Sequence, residues 1–182
     1  MKTLVIHPED PTTTFLERVY EGLDDTTVIR GGMNPIDVAY AMQKHDRVIA
    51  LGHGTPLGLL SVGKFGGSHY VIDERHISAL KKTGSGIYIW CHADQFVQRF
   101  HLSSILYSGM FISEIGEAYM LGLENTQPQD VSVYNDTFAS FLNKELKANT
   151  LGVCDRMVDY IDTHGPYSQV SSYNTDRLYS NP

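Results

Sequence analysis

Short apolar runs alternate along the chain with segments of helical periodicity, and this alternation constrains the fold more than any other feature of the sequence. The apolar runs lie within KTLVIH, TTVIRGG, DRVIALGH, GIYIWC and ILYSGMFIS. DRVIALGH is apolar at successive positions, as strands buried in a parallel sheet are. The segments between the runs, such as PIDVAYAMQKH, place apolar residues at helical spacing. The chain is therefore predicted to alternate strands and helices.

This alternation predicts an α/β fold, a three-layer α/β/α sandwich with a mainly parallel sheet, because right-handed crossovers return each helix over the sheet. The length of 182 residues indicates a single domain spanning residues 1–182. The glycine-rich segment GLLSVGKFGGSHYVI is predicted to contain a small inserted hairpin. Helical periodicity dominates after about Gln127, and residues 164–182 are predicted to form a polar tail or an edge segment.

Composition and charge argue against several classes of partner. The chain has 21 acidic and 14 basic residues, a formal charge of -7, and without a basic cluster we expect no nucleic-acid binding. No apolar segment has the length of a membrane span or of a secretion signal. A GxGxxG or Walker-type loop is also missing from the sequence. We therefore expect a cytoplasmic protein that does not contact a membrane and carries no cofactor.

Two of the strand-like runs end in residues that can carry chemistry. RVIAL leads to His53 and Gly54, and GIYIW leads to Cys91, 38 residues after His53. In open parallel sheets, ligands bind at the carboxyl ends of the strands. If the two strands are neighbours, roughly 4.8 Å apart, the imidazole and the thiol leave the sheet at the same edge. The spacing therefore predicts a dyad of His53 and Cys91.

The local sequence favours a nucleophilic role for Cys91. A thiolate is stabilised by a nearby imidazole and by the positive end of a helix, and HADQFVQRF, a predicted helix start, follows Cys91 directly. Gly54 allows a tight turn and exposes a backbone N–H that would donate to an oxyanion. His53 and Gly54 together would then supply a base and half of an oxyanion hole.

The stretches VIALGHG and GIYIWCHA resemble the motifs of the caspase-like cysteine peptidases of clan CD, which include caspases, gingipains, clostripain and legumains. In that family one strand ends in His-Gly and a later strand ends in the nucleophilic cysteine. The resemblance implies a caspase-like fold and a peptide or protein substrate. It also implies that His53 is the general base or acid, Cys91 the nucleophile, and Gly54 with the amide of Cys91 the oxyanion hole. By order of elements it spans Met1 to Ala118.

The sequence departs from this family at the residues that would bind substrate. Caspases carry a Gln-Ala-Cys-Arg-Gly signature, whereas this chain has IWCHA, so caspase specificity is not implied. Asp94 beside the nucleophile, and Glu114 or Glu117 in SEIGEA, form a candidate acidic pocket for a basic substrate residue. The chain would be a minimal catalytic core, or a core that has lost catalysis.

Each of these residues also has a purely structural interpretation. Cysteine is among the most buried residue types, so Cys91 would be part of the core, while His53 and Gly54 would serve hydrogen bonding and a turn. Cys154 lies in an amphipathic stretch and is interpreted as core. Both cysteines are predicted to be free thiols. The second His-Gly pair, at His164, follows no apolar strand and is interpreted as a turn.

The eight histidines raise the question of a metal site. A site built from His53, Cys91 and His92, with His69 or His76, would have neither HExxH nor CxxC spacing. We therefore expect no bound metal.

Two noncatalytic functions are alternatives to the dyad. Flavodoxin-like sheets, the alternative fold, hold phosphorylated ligands in the first loop, and HPEDPTTTF places the threonines at 12–14 where a helix N-terminus would receive an anion. The charges of Glu9 and Asp10 would oppose such an anion. The other alternative is a scaffold or dimerising domain that keeps the caspase-like fold without turnover.

Overall fold

A computed structural model describes residues 1–62, 69–148, 160 and 168–181. The described strands are β1 (Thr3–Ile6), β2 (Thr26–Ile29), β3 (Arg47–Leu51), β4 (Gly54–Thr55), β5 (Gly58–Leu60), β6 (Tyr70–Ile72), β7 (Ser85–Ile89), β8 (Ile105–Ser108) and β9 (Leu178–Asn181). The described α-helices are α1 (Glu17–Tyr20), α2 (Pro35–Met42), α3 (Ile77–Leu80), α4 (Ala93–Phe100), α5 (Ile115–Met120), α6 (Pro128–Lys147) and α7 (Gln169–Thr175). Two 3-10 helices, Pro11–Leu16 and Glu74–His76, precede α1 and α3.

Six of the strands form one mixed sheet in the order β2-β1-β3-β7-β8-β9. The first five strands are parallel, and β9 pairs antiparallel with β8. The predicted α/β fold with a mainly parallel sheet is therefore confirmed. The antiparallel edge strand comes from residues 178–181, within the segment for which the sequence left a polar tail and an edge segment open.

A hydrophobic core lies on each face of this sheet, because successive side chains of a strand point to opposite faces. On β3, Ile49 and Leu51 belong to one core, which α1, α5, α6 and α7 cover. Val48 and Ala50 belong to the other core, which α2, α3 and α4 cover. Helices on both faces fit the predicted three-layer sandwich.

The segment between β3 and α3 forms a separate small sheet. Its three short strands, β4, β5 and β6, pair antiparallel. The sequence predicts only a hairpin here, and the additional strand is β4, which begins at Gly54 directly after His53. The insertion therefore starts at the carboxyl end of β3.

The segment after β1 differs from the α-helix that the sequence predicts. Its first part is the 3-10 helix Pro11–Leu16, and α1 follows it. The N-cap is Asp10, because the Asp10 carboxylate accepts a hydrogen bond of 2.8 Å from the N–H of Thr12. Apart from Tyr160, the segment LGVCDRMVDYI, within the region of helical periodicity that the sequence shows after about Gln127, lies outside the described residues, as do Cys154 and His164.

None of the helices within the described ranges has both the length and the apolar composition needed to cross a membrane.

Candidate active site

The strands that precede His53 and Cys91 are neighbours in the sheet. β3 and β7 pair in parallel with Leu51 opposite Ile89, and the N–H of Gly52 continues the pairing by donating to the carbonyl of Ile89 at 3.0 Å. His53 and Cys91 each lie two residues beyond the last paired residue of their strand. The structure thus places both residues at one edge of the sheet and at equivalent positions.

His53 and Cys91 line the same cavity at this edge. Its volume is about 20 Å³, room for about one water molecule. The other described lining residues are mostly apolar: Thr13, Phe15, Leu16, Gly52, Ile89, Trp90, Phe111 and Ser113. Larger cavities of about 180 and 450 Å³ lie elsewhere, with neither His53 nor Cys91 among their described lining residues. The predicted pair therefore shares a narrow and largely apolar cleft.

The Cys91 thiol is protonated in this arrangement. Its Sγ donates to the carbonyl oxygen of Phe111 at 3.5 Å. Burial raises the pKa of the Cys91 thiol, and the nearby negative charge of Glu117 raises it further. The pKa of the thiol is therefore raised, although Cys91 lies two residues before the start of α4, where the sequence predicts a thiolate to be favoured.

His53 is held by the loop that follows β1. The Nε2 atom of His53 lies 2.6 Å from Oγ1 of Thr12 and 3.8 Å from Oδ1 of Asp10. The same Asp10 oxygen accepts hydrogen bonds from the Thr12 hydroxyl and from the Thr12 N–H, at 2.5 and 2.8 Å. The sequence did not indicate this pair, although the adjacency of β1 and β3 brings their following loops together.

Gly54 packs so closely against Trp90 that there is no space for a side chain. A Cβ atom at this position would lie 2.0 Å from Cδ1 of Trp90. Gly54 stands opposite Leu59 in the β4–β5 pair, and the neighbouring hydrogen bond runs from the N–H of Leu60 to the carbonyl of His53 at 2.8 Å. Because hydrogen-bonded and non-hydrogen-bonded pairs alternate in antiparallel ladders, the N–H of Gly54 points away from β5. The predicted oxyanion donor is thus left outside the ladder.

The three acidic residues of the candidate substrate pocket have separate positions. The Glu117 carboxylate accepts from the N–H of Ser113 at 2.7 Å and from the N–H of Glu114 at 3.1 Å, and so caps α5. Glu114 is the exposed N-cap of that helix, and Asp94 lies in the first turn of α4. None of the three is among the described residues that line the cleft. The structure does not assemble them into one acidic pocket around the dyad.

A fully buried histidine lies beside the cleft at the end of β1. His7 is fully buried; its Nδ1 lies 3.1 Å from the Tyr20 hydroxyl and its Nε2 lies 3.2 Å from the hydroxyl of Thr13. Burial, followed by the positive charge of Arg30, lowers the pKa of His7 to about 4. His7 is therefore a neutral ring whose partner Thr13 lines the cleft, a connection that the sequence did not indicate.

Two of the other histidines considered for a metal site, His76 and His92, have protein partners. The buried ring of His76 contacts the carbonyl of Pro35 at 3.0 Å and accepts from the N–H of Asp73 at 3.1 Å. His92 lies 3.3 Å from the side-chain amide of Gln95. Among the residues that the structure describes, no three His, Cys, Asp or Glu side chains are grouped so as to hold a metal ion.

No protein-family model matches the chain, and comparison with the curated proteins gives no match. A functional assignment therefore depends on the geometry of the cleft and on the motifs VIALGHG and GIYIWCHA.

Proposed function

We propose that this protein is a cysteine-dependent hydrolase of caspase-like fold that acts on a peptide or protein. Cys91 is the nucleophile, and His53 carries the proton. One observation carries the proposal: adjacent parallel strands bring His53 and Cys91 to a common cleft at the carboxyl edge of the sheet, where α/β proteins place their chemistry.

The proposed reaction has two steps. As Sγ of Cys91 attacks the carbonyl carbon of an amide, His53 takes the thiol proton. The C–N bond breaks when the imidazolium gives this proton to the leaving amine, and a thioester remains on Cys91. Water then attacks the thioester, and its proton passes through His53 to the departing sulfur. The carboxylic acid product leaves, and the amides of Gly54 and Cys91 stabilise the oxyanion in both steps.

The resting cleft must change before this reaction occurs. A volume of about 20 Å³ does not admit a substrate side chain, so substrate binding has to widen the cleft. The thiol proton must also turn away from the carbonyl of Phe111 toward His53. The preference for a basic substrate residue gains no support, because Glu117 already caps α5.

A noncatalytic scaffold is the second candidate, and the burial of Cys91 favours it. Burial raises the pKa of the Cys91 thiol, which is the behaviour of a structural cysteine. The phosphate-binding alternative is weaker, because the N–H of Thr12 that would donate to an anion is already bonded to the carboxylate of Asp10.

Alkylation by iodoacetamide near neutral pH separates the hydrolase from the scaffold. Mass spectrometry should find Cys91 modified in the folded protein, and His53→Ala should slow this modification by at least about tenfold, since a positioned general base contributes that much or more. His92→Ala is the matched control. His92 follows Cys91 in the sequence, but its imidazole contacts Gln95. The rate of Cys91 alkylation should therefore stay within about twofold of the wild-type rate, because no general base is lost.

A noncatalytic scaffold predicts a different result for the modification of Cys91 by iodoacetamide. Cys91 would then be modified only on unfolding, or at the same rate with and without His53. Either result would rule out the dyad.

A further inference from the structure

One hydroxyl group bridges His53 and a carboxylate. Oγ1 of Thr12 lies 2.6 Å from Nε2 of His53 and 2.5 Å from Oδ1 of Asp10. A threonine hydroxyl has a single proton, so it donates to one of these partners and accepts from the other. The direction of the two hydrogen bonds therefore fixes which nitrogen of His53 carries a proton.

The ionisation state of Asp10 decides to which partner the Thr12 hydroxyl donates. The hydrogen bond from the Thr12 hydroxyl holds the pKa of the Asp10 carboxyl below its usual value, so the group is ionised at neutral pH. An ionised carboxylate only accepts hydrogen bonds, and the hydroxyl proton of Thr12 must point to Asp10. Oγ1 is then left to accept from His53, which requires a proton on Nε2.

We propose that Thr12, supported by Asp10, is a positioning residue that holds His53 as the Nε2–H tautomer. The unprotonated nitrogen is then Nδ1, and it is the atom that receives the proton of Cys91. The tautomer follows from the hydrogen bonds together with the ionised state of Asp10, whereas its use in catalysis rests on the proposed function.

The local structure holds Thr12 in place for this role. Asp10 caps the 3-10 helix Pro11–Leu16, and its carboxylate accepts from the backbone N–H of Thr12 as well as from the hydroxyl. Oδ1 of Asp10 is also 3.8 Å from Nε2 of His53, so its charge stabilises the imidazolium that forms when the thiol proton is transferred.

The ring nitrogens of His53 test the tautomer directly. We would label the full chain with ¹⁵N-histidine, assign His53 with His53→Gln, and record the ring shifts at mildly alkaline pH, above the usual titration range of histidine. The wild type and Thr12→Ser should show a protonated Nε2 and an unprotonated Nδ1. Thr12→Val should lose this preference, because it keeps the shape of the side chain and removes the hydroxyl.

Thr14→Val is the matched control. Thr14 lies exposed on the same helical turn, and its hydroxyl donates to the backbone carbonyl of Asp10 at 3.3 Å. The His53 tautomer should therefore be unchanged. An Nδ1–H tautomer in the wild-type protein would overturn the proposal even if a variant failed to fold, and so would an unchanged Nε2–H tautomer in Thr12→Val.

Alkylation of Cys91 by iodoacetamide tests the catalytic use of the same contact. Thr12→Val should slow the modification by at least about tenfold, because a misplaced proton prevents His53 from acting as the base, and Thr12→Ser should restore the wild-type rate. If the tautomer depends on Thr12 while His53→Ala leaves the rate of Cys91 alkylation unchanged, the positioning of His53 is supported and the proposed hydrolase is not. If alkylation depends on His53 but not on Thr12, the hydrolase survives and the positioning role is wrong.

Discussion

At the scale of single residues, Gly54 lies so close to the indole of Trp90 that any side chain there must displace the ring. A Cβ atom would lie 2.0 Å from Cδ1. We expect Gly54→Ala to lower the free energy of unfolding by about 1–3 kcal/mol, the usual cost of overpacking. Gly116→Ala is the matched control, because a Cβ there would meet nothing within 4 Å among the described residues. Urea unfolding of both variants measures the difference, and equal stability would contradict the contact.

The buried ring of His7 makes the stability of the protein depend on pH. Burial lowers the pKa of His7 from 6.5 to about 4 in the folded chain, so only the unfolded chain takes up this proton between those values. Stability is complete above the unfolded pKa and falls as the pH falls toward 4. The contribution of His7 to the free energy of unfolding should be about 2 kcal/mol smaller at pH 5 than at pH 7.

Urea unfolding at these two pH values measures the His7 contribution. The change with pH should shrink in His7→Gln, which cannot take up the proton. The exposed His101 supplies the control His101→Gln, which should keep the full change. A His7→Gln protein that loses as much stability as the wild type would show that His7 is not the group responsible.

The sequence predicts His53 and Cys91 as partners because each follows an apolar run, and such runs end at one edge of a parallel sheet. Thr12 and Asp10 could not be predicted in the same way. Asp-Pro-Thr has the pattern of a helix start, and Asp10 does cap the helix that follows. Asp10 also accepts from the Thr12 hydroxyl that contacts His53. This contact depends on the distance between two loops, which no local sequence pattern encodes.

At the scale of elements, α7 is joined to the loop that forms one wall of the cleft. The buried side chain of Asn174 accepts from the N–H of Ile112 and donates to its carbonyl, both at 2.8 Å. Phe111, which precedes Ile112, lines the cleft and accepts the Cys91 hydrogen bond. We expect Asn174→Ala to lower the free energy of unfolding by about 2–4 kcal/mol, because two buried backbone groups lose their partners.

Asn143→Ala is the control for Asn174→Ala. Asn143 also makes two hydrogen bonds, to the carbonyls of Val19 and Glu21, but these groups are partly exposed and water can replace the amide. Chemical unfolding should therefore show a smaller loss for Asn143→Ala. A larger loss for Asn143→Ala would contradict the importance of the α7 contact.

The elements that the sequence predicts best are those defined by long apolar runs. β3 and β7 are confirmed, and they pair directly, which is the condition that the sequence reasoning set for the dyad. β4 could not be predicted, because it consists of two residues, Gly54–Thr55. β9 was left open because its sequence is mostly polar, and its pairing depends on distant contacts. In particular, the Asn181 side chain bonds the N–H of Ile105 and the carbonyl of Leu102.

At the scale of the whole molecule, the two cores share one sheet and should unfold together. The single tryptophan, Trp90, belongs to the core that α2, α3 and α4 cover, whereas α6 covers the other core. Tryptophan fluorescence therefore reports on one face, whereas far-ultraviolet circular dichroism reports on the helices of both faces. We expect the two signals to give one coincident urea transition. Separate midpoints would show that the faces unfold independently.

The overall fold excludes fewer candidate functions than the cleft does. A mainly parallel α/β sheet serves many unrelated activities, and the hydrolase and the scaffold would have the same fold. Only the chemistry at the carboxyl ends of β3 and β7 distinguishes them. The sequence predicts these two residues as a pair, but it did not reveal that the partly buried Cys91 donates to the carbonyl of Phe111.

The most direct test of the hydrolase is the appearance of new amino termini in a peptide mixture incubated with the 182-residue protein. The wild type should generate them, Cys91→Ala and His53→Ala should abolish them, and His92→Ala should retain them. No new termini with the wild type, or equal yields from the wild type and Cys91→Ala, would contradict a function based on Cys91 and His53.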